Sequence, residues 1–218
     1  MEIAVHDILG RLGRTARLND AVLMYALRQM ASDYPDVCVF ECLPCPTSPP
    51  AMLLRNARTL VFPFNYGQAH WCVICVTLAA GVIVDVGLYD PLQGAYEASL
   101  RRSWMKVCVP LLTLWHKRDD VALSPELELT ALRVVKLAPQ HDHDSCGVYC
   151  IAVVYDFVSN TAFFQHAGGV GASAACQLRV RVMWRIFCCS TRLDAERDEI
   201  EAKQTIEHFE QFAQVAVN

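Results

Sequence analysis

From Val148 to Val158 the chain runs Val-Tyr-Cys-Ile-Ala-Val-Val-Tyr-Asp-Phe-Val, apolar on every side of a helix. A helix without a polar face has to be wrapped on all sides by other elements. Counted from Cys146, the stretch is too short to span a bilayer and it contains Asp156, so no membrane segment is expected. It predicts instead a helix buried at the centre of a domain. A chain of 218 residues, 54% apolar and 19% charged, can bury one good core around it.

Charge and cysteine usage narrow the function classes. The net charge is -4 and no Lys/Arg run occurs, which removes the electrostatic footprint of a dedicated nucleic-acid binder. Glu2 and Asp7 interrupt the N-terminus, and no apolar core follows a basic start, so no secretory signal is read there. Eleven cysteines is an odd number, scattered unevenly through a chain large enough to fold without staples. Reduced thiols, and a cytoplasmic or nuclear protein, are the expectation.

The remaining elements follow from periodicity and punctuation. Asn19-Asp20 can cap a helix with Leu23, Leu27 and Met30 on one face, ending before Pro35. Val37 to Phe40 suits a short strand, and the prolines 44, 46, 49 and 50 mark a surface connection. Leu60-Val61-Phe62, Trp71 to Leu78, Val82 to Val86 and Arg133 to Leu137 are rich in β-formers. Ala95 to Lys117 has helical character that Pro110 should kink or divide. Two further helices are expected over Cys176 to Cys189 and Leu193 to Val215.

The strands around Gly81 bring chemistry together. A three-residue turn through Ala79-Ala80-Gly81 pairs Leu78 with Val82, and the same register sets His70 opposite Asp90. Asp85 would fall near Cys75, five residues along the strand and roughly 16 Å from His70. Asp90 is therefore the carboxylate expected to orient the imidazole and stabilise its charged form.

The run Gln140-His141-Asp142-His143-Asp144-Ser145-Cys146-Gly147 precedes the buried helix. Asp144 or Ser145 can cap that helix, and the positive end of its dipole favours a thiolate at Cys146. Gly147 lets backbone approach closely. Gln140 can point an amide donor at a developing oxyanion. Cys150, by contrast, has the setting of a small buried hydrophobe.

These residues resemble the ubiquitin-like-protein proteases, cysteine peptidases that mature or deconjugate SUMO and its relatives. The matching pieces are Leu18-Asn19-Asp20, Pro63 with Asn65, His70-Trp71, Tyr89-Asp90, Pro139-Gln140 and Ser145-Cys146-Gly147. Each motif is weak alone; the ordered set, over roughly residues 15 to 190, is specific. The resemblance implies an α+β papain-like fold, a central antiparallel or mixed sheet, and the nucleophile at the start of the buried helix. It implies His70, Asp90, Gln140 and Cys146 as the catalytic set, no metal or organic cofactor, and a SUMO-like modifier and its conjugates as partner. It also places Asn19, Asp20, Trp71 and Arg17 on the substrate side. In the family a tryptophan usually precedes Leu-Asn-Asp and, with the tryptophan after the catalytic histidine, walls a tunnel for a diglycine end. Arg17 stands where the first of these would be.

Two other classes compete. Cys38, Cys42 and Cys45, or His141 and His143 beside Cys146, raise a metal-binding module. Cys72 and Cys75 form a second C-x-x-C, but an odd separation on a strand points them to opposite faces. The other competitor is a modifier-binding domain that no longer cleaves. Finally, residues 193–218 carry seven acidic and two basic residues, a net of -5 against +1 for the rest, with Leu193, Ile200, Ile206, Phe209 and Phe212 as an apolar stripe. Residues 1–192 are thus expected to form the catalytic domain and 193–218 an acidic amphipathic helix packed on it.

Overall fold

The computed structural model describes residues 5–13, 16–42, 47–121, 132–136, 139–160 and 172–190. The expected C-terminal helix, Cys45 and the end of the strand expected at Leu137 lie outside these residues. The described elements are α1 (Val5–Leu12), α2 (Asp20–Ala31), β1 (Val37–Val39), β2 (Thr59–Tyr66), β3 (His70–Ala79) and β4 (Val82–Tyr89). They continue with α3 (Glu97–Ser103), α4 (Val109–Asp119), β5 (Arg133–Val134), α5 (Cys146–Ser159) and α6 (Ala172–Ser190).

The strands form one five-stranded sheet in the order β1-β2-β3-β4-β5, antiparallel at its centre and parallel at both outer pairs. β3 is the central strand, buried along nearly its whole length, as an apolar run without alternation requires. Its side chains divide between two cores. Trp71, Val73 and Cys75 pack with α2, α5 and α6, while Cys72, Ile74, Val76 and Leu78 pack with α3 and α4. Cys72 and Cys75 therefore face opposite ways, as their spacing demands.

α5 is buried on all sides, with twelve of its fourteen residues in the buried class. It lies between the sheet, α2 and α6, and supplies the axis of the larger core. The Asn19 side chain accepts from the Val22 N–H at 3.0 Å and starts α2, whose Leu23, Leu27 and Met30 are enclosed.

Two elements differ from expectation. β2 runs on through Pro63 to Tyr66; β1 pairs only as far as Val61, so the proline sits where one side of β2 has no described partner. The helical region around Pro110 is not divided: helical backbone runs without a break from α3 into α4. A π-helical segment (Trp104–Cys108) lies just before Pro110, and this wider turn is where the helix accommodates the ring and the missing N–H.

Candidate active site

Ala80 and Gly81, both at positive φ (50° and 86°), turn β3 into β4. This is a two-residue hairpin, one residue tighter than expected, and it pairs Ala79 with Val82 and Leu78 with Ile83. An irregularity at Thr77/Leu78 then admits one extra residue on β4, so that Thr77 faces Asp85 and Val73 faces Tyr89. The expected register is thereby corrected by two positions: Asp90, just beyond β4, falls beside Cys72 and diagonal to His70. Parity explains why the pair still meets. The tight turn alone would have put Asp90 on the face of Trp71, and the extra residue returns it to the face of His70.

His70 Nε2 and Asp90 Oδ1 are 2.8 Å apart, and both residues are buried. Asp90 Oδ1 also accepts from the Leu92 N–H at 2.9 Å, and Oδ2 accepts from Gly94 at 3.1 Å and Tyr96 at 2.8 Å. Burial works against the carboxylate, but the bond to His70 and these amides outweigh it and hold Asp90 at about 2. Burial likewise works against a charged His70, yet the hydrogen bond to Asp90 and the nearby Cys146 thiol lift it to about 9. Tyr96 stacks on the His70 ring at 4.5 Å between centroids, and Tyr66 stacks on Tyr96 at 5.5 Å. Asp85 forms an ion pair with Arg133 of β5 instead, at 2.6 Å.

Cys146 is the first residue of α5 and is fully buried. Ser145 occupies the N-cap position, but contrary to expectation neither it nor Asp144 caps the helix with its side chain. The Ser145 hydroxyl is taken up elsewhere: it donates to Asp142 Oδ2 at 2.6 Å and accepts from Arg179 Nε at 3.2 Å. Asp142 also accepts from the backbone N–H groups of Asp144 and Ser145 at 3.0 and 2.8 Å. Arg179, from α6, further donates to the backbone oxygens of Arg11 and Asp144, both at 2.9 Å. Burial lowers its pKa from the ordinary guanidinium value, with nearby Asp142 opposing. Gly147 lies against Leu18, where an added Cβ would stand 3.1 Å from that side chain, which is the close approach its glycine predicts.

The amide nitrogen of Gln140 donates to the Asp142 carbonyl at 2.6 Å and to Asp142 Oδ1 at 3.1 Å, while Gln140 Oε1 is buried without a partner. The remaining expected positions cluster beside this loop. Trp71 is buried and donates its indole N–H to the Leu18 carbonyl at 2.8 Å. Arg17 is exposed and reaches the His143 carbonyl at 3.1 Å and Asp144 Oδ1 at 3.3 Å. Asp20 accepts from Asn65 at 3.2 Å, whereas Asn19 serves as the α2 cap. Cys38 and Cys42 belong to different cores, so this pair does not converge on a metal. Arg179 and Tyr66 had no sequence signal: one lies 33 residues beyond the nucleophile in an ordinary helical run, the other sits among strand aromatics.

A thiol at the start of a buried helix, beside a buried imidazole–carboxylate pair on a mixed sheet, can now be set beside known proteins. The model of the Ulp1 protease family, C-terminal catalytic domain, matches residues 47–165. The chain belongs to the Ulp1 protease family. As an Ulp1-family domain it is a cysteine-type peptidase. The fold of this Ulp1-family member is shared by a structure of the SUMO protease Ulp1 with its catalytic cysteine oxidised to a sulfinic acid (TM-score 0.62, 13% identity, 87% of this chain and 86% of that one). It is shared also by the C-terminal Ulp1 protease domain in complex with Smt3, the yeast orthologue of SUMO (TM-score 0.62, 14% identity, 86% and 84%). A de-sumoylating protease is a third (TM-score 0.56, 13% identity, 93% and 93%). None of the curated proteins matches. The papain-like α+β architecture expected from the Ulp1-type motifs is the one found. Among the described residues no helix is long and apolar enough to cross a membrane.

Proposed function

We propose that this chain hydrolyses the peptide or isopeptide bond after the C-terminal glycine of a SUMO-like modifier, with Cys146 as nucleophile, His70 as acid and base, and Asp90 as its orienting partner. One observation carries the reading: the His70–Asp90 pair is buried and hydrogen-bonded, and Cys146, at the start of α5, is near enough to the same imidazole to help raise its pKa. Proton transfer from the Cys146 thiol to His70 gives a thiolate and an imidazolium stabilised by Asp90. The sulfur attacks the glycine carbonyl, the developing oxyanion takes hydrogen bonds, and His70 returns its proton to the leaving amine. Water, deprotonated by His70, then cleaves the thioester and frees the glycine carboxylate. Gln140 and the Cys146 backbone N–H are the proposed oxyanion donors, for which Gln140 exchanges one of its bonds to Asp142 for the substrate oxygen. The related structure bound to Smt3 supports a modifier of the SUMO class as partner.

A second reading, a binding domain that no longer cleaves, rests on two features: Cys146 is fully enclosed, and the Gln140 amide nitrogen already makes two bonds. A panel of ubiquitin-like proteins, each ending in a thiol-reactive group, separates the two. The hydrolase reading expects covalent labelling by a SUMO-like probe in wild type and none in Cys146→Ala. Non-covalent capture of the same probe by wild type without labelling would give the second reading instead.

A further inference from the structure

His70 and Cys72 alternate along β3 and so share one face of the sheet, and Asp90 arrives on that face from the end of β4. All three are buried, and one ligand atom from each lies within 4.8 Å of the other two. Among the described residues this is the one cluster of three or more His, Cys, Asp or Glu side chains so arranged. Proteolysis by Cys146, His70 and Asp90 makes no use of Cys72. The Cys72 thiol points at Asp90 Oδ1 from 3.8 Å, so that Oδ1 is approached by two removable protons, one on His70 Nε2 and one on Cys72 Sγ.

We propose that His70 Nε2, Cys72 Sγ and Asp90 Oδ1 form a site for a thiophilic divalent cation of the Zn²⁺ type, and that occupying it switches the peptidase off.

The chemistry balances. Starting from the charged imidazole, the cation replaces the proton on His70 Nε2, leaving that on Nδ1, and the proton on Cys72, so two protons leave for one double charge and the net charge of the buried group is unchanged. That matters because an uncompensated charge at this depth would be costly. Imidazole, thiolate and carboxylate are each usual zinc ligands, and tetrahedral bonds of the usual lengths separate ligand atoms by about 3.3–3.7 Å. The His70–Asp90 contact of 2.8 Å has to open slightly and the Cys72–Asp90 contact of 3.8 Å has to close slightly. The carboxylate is well prepared, because backbone amides of Leu92, Gly94 and Tyr96 already hold it in place, in the manner of outer-shell partners at metal centres.

Inhibition follows from the ring's two nitrogens. Nε2 bound to metal no longer carries the proton that Asp90 orients, and the imidazole can neither build up nor hand on the positive charge that transfer to and from the substrate needs. The nucleophile is not itself a ligand in this arrangement. The same feature distinguishes the site from capture of zinc by the catalytic thiol.

The binding test uses Cys146→Ala, which removes the nucleophile from consideration and does not depend on the proposed proteolysis. Titration with Co²⁺, as a spectroscopic stand-in for Zn²⁺, is expected to give one cation per chain with a thiolate-to-cobalt absorption band that Zn²⁺ bleaches. Adding Cys72→Ala or Cys72→Ser to that variant should abolish the band, and adding Asp90→Asn should weaken binding by about tenfold or more, as loss of an anionic ligand does. Two serine and alanine variants are compared so that a folding defect in one does not decide the outcome. No band in Cys146→Ala, or an unchanged band once Cys72 is replaced, would refute the site. In wild type, Zn²⁺ should inhibit hydrolysis reversibly with a chelator, and Cys72→Ser, referred to its own metal-free rate, should need at least about tenfold more Zn²⁺. Equal sensitivity of the two proteins would show that any inhibition arises elsewhere.

Discussion

On the His70 side of the site the contacts that hold Asp90 are local: a hairpin brings it back to the imidazole, and three amides within six residues of it hold its carboxylate. On the Cys146 side the loop from Pro139 to Ser145 is held by side chains from distant parts of the chain, Arg17 from one end and Arg179 from α6. The first half is backbone geometry closing on a charge. The second is a set of charged side chains closing on a loop. The local half should tolerate little change in chemistry and the remote half should tolerate graded change in position, because amide donors cannot be mutated away whereas guanidinium groups can.

The largest effect is expected at the local half. Asp90→Asn should reduce turnover by about 10²–10⁴-fold, since the amide cannot stabilise the imidazolium or hold its tautomer. Asp85→Asn should leave turnover unchanged, as its exposed pair with Arg133 is a surface contact. Comparing kcat for the two variants checks the ranking. The pH profile sharpens it. With Asp90 present His70 is raised to about 9, so the charged ring and its stabilising bond are fully present below about pH 6.5 and are lost as pH climbs through about 9. Removing the carboxylate lowers that value, and the alkaline limb of kcat/KM should move to lower pH. A limb that stays in place would mean that Asp90 does not set the His70 charge.

Between the halves stands Gln140, on the remote loop, bonded to Asp142 and proposed as an oxyanion donor. Gln140→Ala should lower kcat by about 10²–10³-fold with little change in KM, the cost of one oxyanion donor. A rise in KM alone would make Gln140 a loop brace that serves Asp142.

Arg179 tests the remote half directly. Arg179→Met removes three hydrogen bonds from a buried cation and leaves the Asp144 and Arg11 carbonyls and the Ser145 hydroxyl short of a donor. A loss of about 2–4 kcal/mol in stability is expected, with kcat reduced by about tenfold, since small misplacements of a nucleophile are felt strongly. Arg179→Lys restores the charge but only part of the fork and should recover stability before it recovers kcat. Denaturant melts alongside kcat check this; parallel recovery of both would make Arg179 a fold residue without a positioning role.

Local construction is also what made one half legible in the sequence. The pairing of His70 with Asp90 follows from strand patterning and parity, and it survived a turn one residue shorter and a bulge, because those two changes cancel in parity. The apolar run of α5 announced its burial and, with it, the place of Cys146. Ser145 illustrates the limit: its position as N-cap was readable, but the capture of its hydroxyl by Asp142 and Arg179 depends on α6 folding back over the loop. No periodicity encodes that contact. Arg179 looks like any polar residue in a helix until the helix is packed, and Tyr96 acquires meaning only when its ring is found on His70.

The smallest expected effect concerns the remote half at its most exposed point. Arg17 is proposed to stand where the family resemblance puts a tunnel wall, yet its side chain is 48% exposed and is held by one carbonyl and one carboxylate on the loop before Cys146. Such a surface ion pair contributes about 0–1 kcal/mol, so Arg17→Trp should change kcat by no more than about fivefold. Selectivity is where the substitution should register. A flexible, hydrated guanidinium makes a looser wall than an indole, and a looser wall discriminates less against a methyl group beside the scissile glycine. Wild type should therefore cleave substrates ending Ala-Gly within about tenfold of those ending Gly-Gly, and Arg17→Trp should widen that gap by a few-fold, the scale on which pockets sense one carbon. Tyr96 supplies the contrasting outcome. It already packs on the His70 imidazole, and if it closes the site, wild type and Arg17→Trp will show equal selectivity while Tyr96→Ala loses it. Measuring both substrates on all three proteins assigns the wall to the remote half or the local one.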